Sequence, residues 1–169
     1  MREIENVGVI GAGLMGHALA IVHALGGCNV IMQDLKDIQI TKGLQLIDSA
    51  LETLLDAGTI SKTEKENAKS RITTTLDLNV AVEDADLVVE AVVENRDVKR
   101  EVFLHIDNAA RDEAIIASNT SNLDIFPLVP EGRKQFCLIA HWYTPPYICL
   151  LYTSPSPRDQ RGSRLASCG

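Results

Sequence analysis

The sequence lacks the features that mark several large classes of protein. None of its 169 residues lies in an apolar run near the roughly 18 residues that a membrane-spanning helix needs. Lysine and arginine number 16 against 23 acidic residues, and the net charge of −7 argues against binding to nucleic acid or to an anionic membrane surface. The N-terminus is too acidic for a signal or transit peptide. We therefore expect a cytoplasmic protein with no nucleic-acid or membrane partner.

The cysteines show no pattern that predicts a metal site or a disulfide framework. They have no C-x-x-C spacing and no histidine at the distance typical of metal ligands. Small thiols in a reducing compartment are the simpler interpretation, and we predict that the protein binds no metal. The four positions are Cys28, Cys137, Cys149 and Cys168.

What the sequence does have is a glycine turn near its start. Gly11, Gly13 and Gly16 follow the G-x-G-x-x-G spacing, between an apolar strand over residues 4–10 and an apolar helix over residues 14–25. The first glycine permits the tight bend, the second lets a diphosphate approach the backbone, and the third lets the helix pack close to the strand. The helix N-terminus then points its N–H groups at the phosphates. The predicted cofactor contacts in this turn are Gly11, Gly13, Leu14, Met15 and Gly16.

An acidic residue follows the next strand, where it would meet the ribose of such a cofactor. Residues 29–32 predict a second strand after Gly26 and Gly27 end the helix, and Asp34 comes two residues later. A carboxylate at this place accepts hydrogen bonds from the ribose hydroxyls and repels a 2′-phosphate. The sequence therefore predicts NAD, rather than NADP, as the cofactor.

The rest of the chain alternates helices and strands. A helical hairpin over residues 38–57 and 61–71 is favoured by spaced leucines and by a capping box of Ser61 and Glu64. A later helix is predicted to be capped by Asp97. The pattern predicts an α/β fold: a Rossmann-type, doubly wound parallel sheet in the order 3-2-1-4-5-6 with a helical hairpin insertion. Beyond the first two strands, the predicted strands cover residues 72–75, 87–91, 114–118 and 136–141.

Three later blocks resemble signatures of the 3-hydroxyacyl-CoA dehydrogenase family. Residues 84–95, followed by Val98 and Lys99, resemble its second motif. Residues 117–123 resemble the third, and residues 140–146, a histidine followed by aromatics and prolines, resemble the fourth. With the glycine turn, these blocks occur in the family's order. The chain is therefore identified by resemblance as the NAD-binding domain of such an enzyme, and we expect this domain to span residues 1–148.

The resemblance implies NAD-dependent oxidation of the 3-hydroxyl of a 3-hydroxyacyl-CoA to the 3-ketoacyl-CoA. It makes His141 the base that takes the hydroxyl proton as hydride leaves, a role that suits a neutral imidazole at physiological pH. It places Ser121 against the reacting oxygen and beside the cofactor. It also implies that Glu94 and Lys99 lie near the nicotinamide ribose and that Ala91 allows the cofactor to approach the backbone closely.

Two departures from the family pattern keep other functions open. Thr144 stands where the family has an asparagine, and Thr153 stands where it has the glutamate that orients the histidine. Relatives that act on a small free 3-hydroxy acid or sugar acid share these motifs, and a non-catalytic NAD-binding module is a further alternative. The hairpin lysines that would either bind CoA phosphates or be ordinary surface residues are Lys42, Lys62 and Lys65. The histidines expected to be structural or exposed are His17, His23 and His105.

The last residues differ in character from the rest. From Cys149 the sequence resembles the conceptual translation of a transposase-type sequencing adapter, and serine, proline, arginine and glycine dominate residues 153–169. We expect residues 149–169 to be a non-native, disordered tail and the family's second, helical domain to be absent from this chain. In the family that domain completes the acyl-CoA site and makes the dimer. The full-length protein is therefore expected to be a homodimer, and this chain to have little activity alone.

Overall fold

The computed structural model describes residues 3–147 of the chain. Its strands are β1 (Asn6–Ile10), β2 (Asn29–Gln33), β3 (Ile72–Thr75), β4 (Leu87–Glu90), β5 (Ile115–Ser118) and β6 (Cys137–Ile139). They form one parallel sheet in the order β3-β2-β1-β4-β5-β6, which confirms the predicted topology. The predicted tail, residues 149–169, lies outside the described residues.

Helices cover both faces of this sheet. Within residues 3–147 they are α1 (Gly16–Leu25), α2 (Asp37–Asp56), α3 (Lys62–Ser70), α4 (Leu78–Val82), α5 (Arg96–Ala109) and a 3-10 helix (Glu131–Phe136). On one face Val9 of β1 packs in a cluster with Leu19 of α1 and Leu51 of α2. On the other face Val88 of β4 packs in a cluster with Phe103 of α5. Two covered faces explain why the central strands are continuously apolar rather than alternating.

The helical hairpin of α2 and α3 is present and packs beside the glycine turn. The hydroxyl of Ser61 accepts the N–H of Glu64 at 3.2 Å, and the Glu64 carboxylate accepts the N–H of Ser61 at 2.7 Å. This confirms the predicted capping box. Gly58, which follows α2, has a φ of +67°, a conformation that favours glycine. A Cβ on Gly43 would lie 3.0 Å from the carbonyl oxygen of Ala12, so α2 lies directly against the turn.

Two predicted details are wrong. Asp97 does not cap α5; Asn95 does, because its side-chain oxygen accepts the N–H groups of Asp97 and Val98 at 2.9 and 3.1 Å. The last strand is shorter than predicted, since the 3-10 helix occupies its start and β6 ends at Ile139. His141 therefore lies in the loop beyond the strand. No helix among residues 3–147 has the length and apolar character needed to cross a bilayer.

Candidate active site

The glycine turn between β1 and α1 is fixed by close backbone packing. Gly11 has a φ of +102°, and a Cβ there would lie 2.7 Å from the carbonyl oxygen of Ala91. A Cβ on Gly16 would lie 1.6 Å from the carbonyl oxygen of Gly11. By contrast, a Cβ on Gly13 would meet nothing within 4 Å, so this glycine borders open space. Only glycine fits at Gly11 and Gly16, and the open space beside Gly13 leaves room for a phosphate.

The start of α1 has no side-chain cap on its N–H groups. Met15, the N-cap residue, makes no side-chain capping bond, and the first turn of the helix contains no acidic residue. Helix N-termini with uncapped N–H groups bind phosphates through these groups and the helix dipole. Leu14 in the same turn is 67% exposed, so the turn is open to solvent. Its residues therefore fit the diphosphate of a dinucleotide.

Asp34 lies beside this turn, as the sequence predicts. It follows β2, and one oxygen of its carboxylate accepts the N–H of Ala12 at 3.0 Å. The other oxygen accepts the N–H of Lys36 at 3.2 Å. These two bonds hold the carboxylate next to the end of β1, where a ribose attached to a diphosphate would lie. The arrangement places one negative charge where a 2′-phosphate would be repelled.

The predicted catalytic pair is in contact. The Oγ of Ser121 lies 3.0 Å from the Nε2 of His141, and both residues are exposed. The two lie in the loops after β5 and β6, which pair in parallel with Ser118 opposite Ile139. Parallel neighbours end at the same edge of the sheet, which brings the two loops together. The ring of Tyr143 lies 4.8 Å from that of His141, tilted by 41°.

The Ser121 loop is held by Glu94. One oxygen of the Glu94 carboxylate accepts the hydroxyl of Thr120 at 2.6 Å and the N–H groups of Ser121 and Asn122 at 3.0 and 3.1 Å. Burial raises the pKa of Glu94, but the bonds from Thr120 and Asn122 and the charge of Lys99 outweigh it and lower the pKa to about 2. Glu94 is therefore ionised at neutral pH and fixes the backbone that carries Ser121.

Lys99 and Glu90 form a buried ion pair, and Lys99 also contacts Glu94. Lys99 is 1% exposed and Glu90 is fully buried, and the Lys99 Nζ lies 2.6 Å from a Glu90 oxygen and 3.3 Å from a Glu94 oxygen. The hydroxyl of Ser118 donates to the other Glu90 oxygen, and the N–H of Val92 donates to the first at 2.9 Å. The amine thus joins two carboxylates. Contact between Lys99 or Glu94 and the nicotinamide ribose stays a prediction.

Glu90 and Ser118 are not among the site residues that the sequence predicts. Both are the last residues of their strands, and the strand register places them side by side. The sequence did contain a signal for Glu90. It is an acidic residue near the end of an otherwise apolar strand, in a sheet predicted to be covered on both faces. A carboxylate buried in such a place needs a cation and donors. Lys99 and Ser118 supply them.

The loop after β6 also reaches the glycine turn. The hydroxyl of Thr144 donates to the sulfur of Met15 at 3.0 Å, and the N–H of Trp142 donates to the side-chain oxygen of Asn119 at 2.8 Å. The loop after β6 is thereby tied both to the glycine turn and to the loop after β5. Thr144, which stands where the family has asparagine, uses its hydroxyl to bond this loop to Met15 of the glycine turn.

Two of the three hairpin lysines pair with carboxylates. Lys65 pairs with Glu52, and Lys62 lies 3.9 Å from Glu66. Lys42 is exposed on α2. Ion pairs with neighbouring acids disfavour Lys62 and Lys65 as a binding site for CoA phosphates.

A backbone cradle for a diphosphate and a serine–histidine pair at the same end of the sheet fit a nicotinamide-dependent oxidoreductase, which needs a dinucleotide site and a group that transfers a proton. Comparison with known proteins agrees with this class. Residues 6–152 match the family model for the 3-hydroxyacyl-CoA dehydrogenase, NAD binding domain. The chain belongs to the 3-hydroxyacyl-CoA dehydrogenase family, and its cofactor is NAD.

Similar proteins cover most of this chain. It is 38% identical over 144 residues to the 3-hydroxybutyryl-CoA dehydrogenase of Mycobacterium tuberculosis, which is 84% of this chain and 50% of that protein. It is 38% identical over 146 residues to the fatty acid oxidation complex subunit alpha of Idiomarina loihiensis, which is 85% of this chain and 20% of that protein. The crystal structure of M. tuberculosis FadB2 superimposes with a TM-score of 0.80 at 36% identity, over 85% of this chain and 51% of that chain. The chain thus spans about half, or less, of the length of these relatives.

Proposed function

We propose that the full-length protein oxidises the 3-hydroxyl of a 3-hydroxyacyl-CoA with NAD, and that this chain supplies the cofactor site and the proton-transfer pair. The observation that carries the proposal is the 3.0 Å contact between Ser121 and His141, at the sheet edge that also holds the glycine turn. A module that only binds NAD needs no such pair. The full-length protein is further proposed to be a cytoplasmic homodimer.

In the proposed reaction His141 receives the hydroxyl proton of the substrate at Nε2. The hydroxyl of Ser121 binds the same oxygen, so the substrate oxygen lies between the two side chains. NAD would supply the hydride acceptor for the carbon that carries this oxygen, with the glycine turn holding its diphosphate and Asp34 its ribose. Glu94 holds the backbone of Ser121 by accepting its N–H at 3.0 Å.

A small free 3-hydroxy acid is a second candidate substrate. Its specific support is the pairing of Lys62 and Lys65 with neighbouring acids, because a CoA substrate needs cations for its phosphates and a small acid needs none on the hairpin. Both candidates use the same proton-transfer pair.

Formation of NADH by the full-length protein separates the two candidates. We expect turnover of 3-hydroxybutyryl-CoA to exceed that of free 3-hydroxybutyrate, and Ser121→Ala to lower it. The matched control, His105→Ala on the exposed face of α5, should turn over like the wild type. Faster turnover of the free acid would favour the second candidate, and no NADH from either would contradict the proposed reaction.

A further inference from the structure

His17 is a buried histidine that the proposed reaction does not use. It is the second residue of α1 and is only 5% exposed. Its Nδ1 lies 2.9 Å from the carbonyl oxygen of Gly13. Since a carbonyl oxygen can only accept, Nδ1 must be the nitrogen that carries the proton. The side chain therefore bonds back to the glycine turn, one helical turn before it.

The Gly13 carbonyl oxygen accepts two hydrogen bonds from His17, and the one from the imidazole is the shorter. The backbone N–H of His17 donates to the same oxygen at 3.3 Å, whereas the next helical bond, from Leu19 to Met15, is 2.9 Å. The imidazole bond is therefore the closer of the two contacts that hold this carbonyl. Gly13 has no side chain that could restrain it instead, and a Cβ there would meet nothing within 4 Å.

Fixing the Gly13 carbonyl also fixes the N–H of Leu14. The two groups belong to one planar, trans peptide unit and point in opposite directions. The carbonyl points along α1 toward His17, so the Leu14 N–H points out of the helix N-terminus. That is the direction from which helix N-termini bind phosphates.

We propose that His17 is a positioning residue for the cofactor: its imidazole holds the Gly13–Leu14 peptide so that the Leu14 N–H faces the diphosphate of NAD. The inference depends on NAD binding at the glycine turn and is independent of the proposed reaction. It concerns a residue that touches the turn and not the ligand.

The test compares His17→Asn with His17→Leu in this chain. Asparagine keeps an N–H donor close to the position of Nδ1, and leucine has a similar size without a donor. By calorimetry we expect the leucine variant to bind ADP-ribose about fivefold more weakly, which corresponds to one net hydrogen bond of ~1 kcal/mol. The asparagine variant should bind ADP-ribose like the wild type. Adenosine, which has no diphosphate, should bind all three proteins equally in an NMR titration.

The amide resonance of Leu14 gives a readout that needs no ligand. It should shift in the leucine variant and return toward its wild-type position in the asparagine variant. His105→Leu, an exposed site on α5, is the matched control and should bind ADP-ribose like the wild type. If His17→Leu does not fold, His17→Ala takes its place with the same expectation.

Three results would overturn the proposal. The first is an equal loss of ADP-ribose affinity in the asparagine and leucine variants. The second is no loss of ADP-ribose affinity in the leucine variant. The third is a loss of adenosine affinity in the leucine variant that is as large as its loss for ADP-ribose. Failure of the wild-type chain to bind ADP-ribose would remove the cofactor assignment itself, and this proposal with it.

Discussion

The two halves of the sheet present different chemical groups at their shared edge. The half with β1, β2 and β3 offers mainly backbone N–H groups in the glycine turn, together with the carboxylate of Asp34. The half with β4, β5 and β6 offers side chains, which run from the buried pair of Glu90 and Lys99 to Ser121 and His141. The first arrangement suits a phosphate, which many N–H groups can bind. The second suits the transfer of one proton at one defined atom.

The halves also obtain their rigidity differently. In the first half, close packing restricts the turn, since no side chain fits at Gly16 beside the Gly11 carbonyl. Hydrogen bonds from Ala12 to Asp34 and from His17 to Gly13 add to this packing. In the second half, hydrogen bonds between residues 20 to 28 positions apart in the chain hold the loops. A site made from local backbone geometry tolerates distant substitutions. A site made from long-range polar contacts depends on every member of the network.

The largest effect is expected from breaking the buried ion pair. Lys99→Met should lower the free energy of unfolding by about 3–5 kcal/mol, because Glu90 and Glu94 then lose their shared cation and Glu90 is buried. Urea denaturation measures this. The same substitution at Lys69, whose partner Asp48 is exposed, should cost about 1 kcal/mol or less. Equal costs at the two sites would contradict the buried network. Adding Glu90→Gln to Lys99→Met should restore part of the loss.

A smaller effect, on binding rather than stability, is expected in the other half. Asp34→Asn should weaken NAD binding by about 10- to 100-fold, the range for losing charged hydrogen bonds of ~1.5–3 kcal/mol. It should also reduce the preference for NAD over NADP, since the charge that repels a 2′-phosphate is removed. Calorimetry with both cofactors measures this. Asp37→Asn, an exposed acid at the start of α2, is the control and should bind normally. Unchanged NAD affinity in the Asp34 variant would rule out its predicted contact with the ribose.

The smallest effect concerns the pH dependence of stability. Folding lowers the pKa of Glu94 from 4.5 to about 2, so its contribution is complete above pH 4.5 and is lost as the pH falls toward 2. Glu94→Gln should therefore be less stable than the wild type at pH 7, by an amount on the order of 1 kcal/mol. The difference should shrink as the pH falls below 4.5. Urea titrations from pH 7 downward test this, and a difference that grows with acidity would contradict the assigned hydrogen bonds.

The difference between the halves also explains what the sequence could predict. The glycine turn was predictable because the positive φ of Gly11 and the contact of Gly16 with the Gly11 carbonyl arise within a few residues of chain, and Asp34 follows the next strand at a characteristic position. The strand order followed from the alternation of apolar strands and helices. The contact of Ser121 with His141 was expected only through the resemblance to a family, since nothing local connects the two residues.

Other details depended on three-dimensional packing. Glu90 and Ser118 become neighbours through the register of β4 and β5, which the sequence does not specify. Asn95 and Asp97 are both good helix caps, and only the backbone conformation decides that Asn95 is the cap. The same holds for His17, whose helical position gave no indication that its ring bonds back to the turn.

The most direct test of the division between the halves is one variant with two measurements. His141→Ala in the full-length protein should lower turnover by about 10²- to 10⁴-fold, the usual contribution of a general base. Calorimetry on the same variant should find its affinity for NAD unchanged, because His141 is not among the predicted cofactor contacts and the diphosphate is predicted to bind in the other half of the sheet. Turnover that survives the substitution, or an NAD affinity that falls along with it, would contradict the account.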